Sequence, residues 1–122
     1  MPVVFDHVAV PSRDPEASAR FLGQILGAAI ERDGPEDEFF CLRLADRVQI
    51  LFSPATEIAR HHMAFRVTSD EFDAVVQRLR AAAIPIGNDP EAPTNGQTSD
   101  PLGGYGRVYF SDPDGHLFEI CA

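Results

Sequence analysis

Glu119 stands in the middle of Leu117-Phe118-Glu119-Ile120-Cys121, a run that is otherwise apolar. A carboxylate in such a strand is either solvated at an edge or meets a cation, because a buried unpaired charge is expensive. Two histidines keep similar company. His7 lies in Phe5-Asp6-His7-Val8-Ala9-Val10 and His62 in His61-His62-Met63-Ala64-Phe65-Arg66-Val67, an offset of 62 − 7 = 55 residues. Strand alternation puts His7 and Ala9 on one face, and His62, Ala64 and Arg66 on the equivalent face of the second segment. The small alanines leave room beside each imidazole for a ligand, whereas His61, on the opposite face, reads as partly exposed or helix-facing. Arg107 shares the parity of Tyr109, and arginine matches carboxylate oxygens with two parallel hydrogen bonds.

These residues need elements to hold them, and the elements recur. In the first half, Asp14, Pro15 and Glu16 mark a helix start that runs to Leu26 and stops at Gly27. Its apolar stripe is expected to be Ala17, Phe21, Ile25 and partly Leu22. Extended segments follow at 28–32, 39–44 and 48–52. In the second half, Thr68-Ser69-Asp70-Glu71 opens a helix through about Ala83, with Phe72, Val75, Val76 and Leu79 on its buried side. Ile84-Pro85-Ile86 resumes extended structure, and a polar stretch from Asn88 to Gly104 forms a long loop, of a length at which loops often act as lids. The chain then closes with a hairpin: Asp112-Pro113-Asp114-Gly115 is a turn in which Pro113 presets φ and Gly115 takes φ > 0. Each half reads β-α-β-β-β, an internal repeat over about 1–54 and 60–122. Aligning Val48-Gln49-Ile50-Leu51 with Leu117-Phe118-Glu119-Ile120 sets Ile50 where the second half has Glu119.

Composition excludes several function classes. A length of 122 residues suits one domain, and 44% hydrophobic content suits a globular one. The net charge of −9, from 19 acidic and 10 basic residues, argues against nucleic acid or an anionic membrane as partner. No apolar run approaches the ~20 residues of a membrane span, and the first residues lack signal-peptide features, so a cytoplasmic location is expected. Cys41 and Cys121 are too few for a disulfide framework and read as small core residues. Lysine is absent, so no mechanism here uses one.

The duplicated pattern, with His7-Val8-Ala9-Val10, His61-His62-Met63-Ala64-Phe65 and Asp112-Pro113-Asp114-Gly115-His116-Leu117-Phe118-Glu119-Ile120 in these places, resembles the vicinal oxygen chelate superfamily. This is the group of glyoxalases, bleomycin-resistance proteins and extradiol dioxygenases. The resemblance covers essentially the whole chain and implies an α+β fold of two tandem βαβββ modules forming a curved mixed sheet, usually in a homodimer. Family metal ligands lie on the first strand of each repeat and on the final strand, and map to His7, His62 and Glu119, drawn from one chain or from both. Two imidazoles and a carboxylate leave open positions on one divalent metal per site: Mn, Fe, Ni or Zn.

The fourth ligand of glyoxalase I falls at Ile50, which weakens an isomerase reading. Similarity to the fosfomycin-resistance enzymes is closer in length and in the first helix. Tyr109 matches their tyrosine on the penultimate strand, and Asp37 falls near the carboxylate that acts as base in the epoxide-hydrating branch. The lysine of the thiol-transferring branch has no counterpart. Arg66, Arg107 and Tyr109 are the candidate substrate contacts, with Tyr109 and Asp37 the candidate catalytic groups. The expected function is therefore a small metal-dependent enzyme, a lyase, isomerase, epoxide-opening enzyme or dioxygenase, acting on an oxygen-bearing small molecule, the metal serving as Lewis acid. The alternative is a protein that sequesters a drug or natural product without catalysis, as bleomycin-resistance proteins do.

Overall fold

Asp14 has extended backbone (φ −140°), and its Oδ1 accepts the N–H of Ala17 at 3.1 Å, which relieves one of the orphan donors that every helix start carries. Pro15 at the first helical position needs no N–H partner, and Gly27 closes the helix in the left-handed region (φ 71°). Thr68 repeats the device, its Oγ1 accepting from Glu71 N–H at 3.2 Å. In this computed structural model, residues 2–33, 39–45 and 48–122 are described. They form two compact units, Met1–Ala59 and Arg60–Ala122.

The first unit contains β1 (His7–Ser12), α1 (Pro15–Leu26), β2 (Ala29–Asp33), β3 (Phe39–Arg43) and β4 (Gln49–Pro54). Its sheet has the order β1-β4-β3-β2, with β1 parallel to β4 and the other pairs antiparallel. Val10, Ala19, Leu22, Ile25, Leu42, Ile50 and Phe52 form its core. The buried face of α1 differs from the expected stripe. It runs through Ser18, Ala19, Leu22, Gly23 and Ile25, while Ala17 is exposed and Phe21 half-buried. Ser18 can turn inward because its hydroxyl lies 2.5 Å from that of buried Ser12, so neither is left without a partner. Gly23 joins because its backbone lies against Leu42 and the carbonyl of Ala28.

The second unit contains β5 (His62–Arg66), α2 (Ser69–Ala81), β6 (Arg107–Ser111) and β7 (Leu117–Cys121), in the sheet order β5-β7-β6. Here β5 runs parallel to β7, and β6 antiparallel to it. Phe72, Val75, Val76 and Leu79 face the core from α2, as their spacing predicts, with Phe110, Phe118 and Ile120 from the sheet. The strand expected at 84–86 is reduced to a single antiparallel bridge, Gly87 to Tyr109. Pro85 has no N–H to give a ladder. The segment beyond it is held instead by side chains: Asn88 Nδ2 donates to Ser99 O at 2.9 Å, and Asn95 Nδ2 donates to Asn88 Oδ1 at 2.8 Å.

In the closing turn, Gly115 takes φ 87°, the left-handed conformation expected of it. Asp112 Oδ1 accepts the N–H groups of Asp114 (3.1 Å) and His116 (2.9 Å), which locks the bend. His116 is fully buried, and its Nδ1 accepts the N–H of His61 at 2.9 Å, stitching the turn to the start of β5. Both cysteines are buried, and neither forms a disulfide among the described residues. Among the described residues, no helix is long and apolar enough to cross a membrane.

The registers correct one alignment between the halves. His7 lies opposite Gln49 and Ala9 opposite Leu51, whereas His62 lies opposite Leu117 and Ala64 opposite Glu119. With His7 matched to His62, the counterpart of Glu119 is Leu51, one residue beyond Ile50. Burial agrees, because Ile50 and Phe52 are core residues like Phe118 and Ile120. A sequence alignment of two apolar strands has little to penalise a slip of one residue, although such a slip exchanges the two faces.

Candidate functional site

β7 is the central strand of the second sheet, so a side chain on its open face has neighbours from both sides. Glu119 is that side chain, opposite Ala64 on β5 and Tyr109 on β6. Ala64 offers no bulk, and His62 reaches over it: its Nε2 donates to Glu119 Oε1 at 2.9 Å. Arg107 Nη1 donates to Glu119 Oε2, and Arg107 Nε donates to Asp100 Oδ1 at 2.9 Å. The carboxylate is thus held between an imidazole and a guanidinium. Its side chain is 10% exposed, that of Arg107 12%, and that of His62 51%, so the histidine opens the cluster to solvent.

Tyr109 is buried, with its ring centroid 6.1 Å from that of His62. Burial raises its phenol above the ordinary value, and the Glu119 charge adds to the shift. The Arg107 side chain beside Asp100 holds that carboxyl below the usual carboxylate range, helped by the N–H groups of Leu102 and Gly104. Arg66 lies on the same face of β5 as His62 and is exposed, with no acidic partner among the described residues.

On the first unit, His7 is exposed and its Nδ1 donates to Asp6 Oδ2 at 2.6 Å. A carboxylate on one ring nitrogen is the partner that metal-binding histidines commonly have. Asp37 lies outside the described residues. The structure therefore brings His62, Glu119, Tyr109 and Arg107 together and places Arg66 further along the same strand face.

Two acidic residues, Asp100 and Asp6, were not singled out from the sequence. Asp6 directly precedes a candidate ligand and was legible as a partner for it; Asp100 sits in a loop whose composition marks no acid above the others. A second acidic group surrounds the turn, where ligand-capable atoms of Asp112, Asp114 and His116 lie within 4.8 Å of one another. Asp112 Oδ1 and His116 Nδ1 already accept backbone N–H groups there, and Asp112 Oδ2 is buried without a partner.

The donor set at Glu119 fits a divalent metal. Two donors with ~2.1 Å bonds at a right angle on one ion lie about 3 Å apart, and His62 Nε2 and Glu119 Oε1 are separated by 2.9 Å. The family model described as Glyoxalase/Bleomycin resistance protein/Dioxygenase superfamily matches residues 4–120. The chain belongs to that superfamily. It is 29% identical over 131 residues to the fosfomycin resistance protein FosX of Listeria monocytogenes, covering 95% of this chain and 86% of the relative. The solved structure of oxidase ChaP-H2 superposes with a TM-score of 0.89 at 33% identity, covering 98% of this chain and 93% of that one. Oxidase ChaP-H1 gives 0.87 at 36% identity, covering 98% and 94%. The FosX structure, at 21% identity, shares the fold with a TM-score of 0.72 over 100% of this chain and 94% of its own.

Proposed function

We propose that this member of the superfamily is a metal-dependent enzyme acting on an oxygen-bearing small molecule, with His7, His62 and Glu119 as its metal ligands. The observation that carries this reading is the His62 to Glu119 pair: a solvent-facing imidazole 2.9 Å from a nearly buried carboxylate, on adjacent strands. A divalent metal bound by this set supplies Lewis acidity toward a substrate oxygen. Tyr109, kept protonated by burial, is able to donate a hydrogen bond to an oxygen in its vicinity. Arg66, exposed on the His62 face, is suited to pair with a carboxylate or phosphonate on the substrate. Asp37 is kept as a candidate base. Relatives described as oxidases and as a fosfomycin resistance protein support an enzyme of the metal-dependent type and leave the bond that is broken open to assay. A homodimer is the expected assembly.

The test is metal content of untagged protein by plasma mass spectrometry, for the wild type, His62→Ala and Glu119→Ala. The expected result is about one metal per chain, lost in both variants, after which epoxides, hemithioacetals and catechols are screened as substrates. A wild type that takes up none of Mn, Fe, Ni or Zn sinks the enzyme reading and favours a drug-binding role.

A further inference from the structure

Arg107 is built into the protein by contacts that a substrate would have to break. Its Nε donates to Asp100 Oδ1 at 2.9 Å and its Nη1 to Glu119 Oε2, while its backbone N–H reaches Thr98 O at 3.1 Å. Asp100 is itself fixed. Oδ1 accepts from Leu102 N–H at 2.9 Å and Oδ2 from Gly104 N–H at 3.0 Å, and its side chain is 4% exposed. The loop closes so tightly on this carboxylate that a Cβ on Gly104 would lie 2.3 Å from Asp100 Oδ2. Asp100, Arg107 and Glu119 thus form one chain of charge-assisted hydrogen bonds from the 88–104 loop to the centre of the sheet. The fork of a guanidinium suits this role, because each branch holds a different carboxylate in a set direction.

We propose that Arg107 is a positioning residue for Glu119, anchored by Asp100, and that it ties the 88–104 loop to this carboxylate. With Oε2 held by Arg107, only Oε1, on the His62 side, faces an incoming ion. The part of the inference that concerns metal rests on the proposed ligand role of Glu119; the tether itself does not. Arg107→Met leaves two buried carboxylates without their cation, whereas Asp100→Asn leaves Arg107 paired with Glu119 but without the anchor that sets its direction. Asp100 acts on Glu119 through Arg107, so its removal adds little once Arg107 is gone.

The experiment has two arms. In the first, Mn(II) is titrated into wild type, Arg107→Met, Asp100→Asn and the double variant, with free ion read by electron paramagnetic resonance. Each single variant is expected to weaken Mn(II) binding about ten-fold or more, and the double variant less than the product of the two factors. Unchanged affinity, or factors that multiply, overturns the positioning role. In the second arm, amide exchange is followed in metal-free protein. Glu119→Gln is expected to speed exchange at Leu102 and Gly104 about ten-fold while α2 amides stay protected, and Asp100→Ala is the control that removes their acceptor. Unchanged exchange at both amides in Glu119→Gln overturns the tether. If wild type binds none of Mn(II), Fe(II), Ni(II) or Zn(II), the metal reading falls, and the exchange arm alone decides the proposal.

Discussion

The two halves use the same scaffold to carry opposite kinds of surface. Matched through His7 and His62, the open face of the first sheet presents Leu51 and Cys41 where the second presents Glu119 and Tyr109, and Phe39 stands at the position of Arg107. Both halves keep the parallel pairing of first and last strands, the capped helix and the aliphatic face beneath it. Only the second replaces a full edge strand with a long loop, and that loop delivers Asp100. Duplication has preserved what packs, and the polar network has been elaborated on one copy.

If the scaffolds are equivalent, matched core truncations will hurt both. Phe118→Ala and Ile50→Ala remove residues at corresponding, fully buried positions. They are expected to cost about 3–5 and 2–5 kcal/mol respectively, read by urea denaturation. A loss below about 1 kcal/mol at either site would break the equivalence.

The glycines sharpen the comparison. A Cβ on Gly106 would overlap the ring of buried Phe72. A Cβ on Gly23 meets Leu42 at 3.0 Å and the Ala28 carbonyl at 3.1 Å, a tight fit partly offset by better helix propensity. Gly106→Ala is expected to destabilise by about 1–3 kcal/mol and Gly23→Ala by clearly less. Equal losses would show that the second half is not the more tightly packed at this point.

The smallest effects are pH-dependent, and two of them lie in the second half. Asp100 is held below its ordinary value of 3.8, so its contribution is present above that value and is lost as pH falls through the lowered pKa. The stability advantage of wild type over Asp100→Asn should therefore shrink on acidification. Asp112 is raised by burial, so its effect has the opposite sign: wild type should lose stability relative to Asp112→Asn as pH rises through the raised value. Parallel slopes for the two variants in denaturation series from pH 3 to 7 would contradict these assignments.

Local chemistry was the legible part of the chain. Asp14, Gly27, Thr68 and Gly115 mark their structural roles by residue type, because caps and left-handed turns accept few alternatives. The α2 stripe was legible because nothing polar interrupts it. In α1 the stripe is rotated, because a hydroxyl pair between residues six apart let Ser18 point inward, and periodicity does not register such pairs. The slip between Ile50 and Leu51 has the same origin, since only pairing with β1 sets that register. At the site, family resemblance marked His62 and Glu119 and strand parity marked Arg107, but Asp100, the second partner of Arg107, follows from the path of the loop, which no local pattern encodes.

His62 and Glu119 are 57 residues apart in sequence, and they meet across the parallel seam of β5 and β7. That seam closes only when the last strand arrives, and non-local closures of this kind dominate folding times. An ion held by the proposed ligand pair would therefore find no site on a half-folded chain and would stabilise only the finished one by mass action.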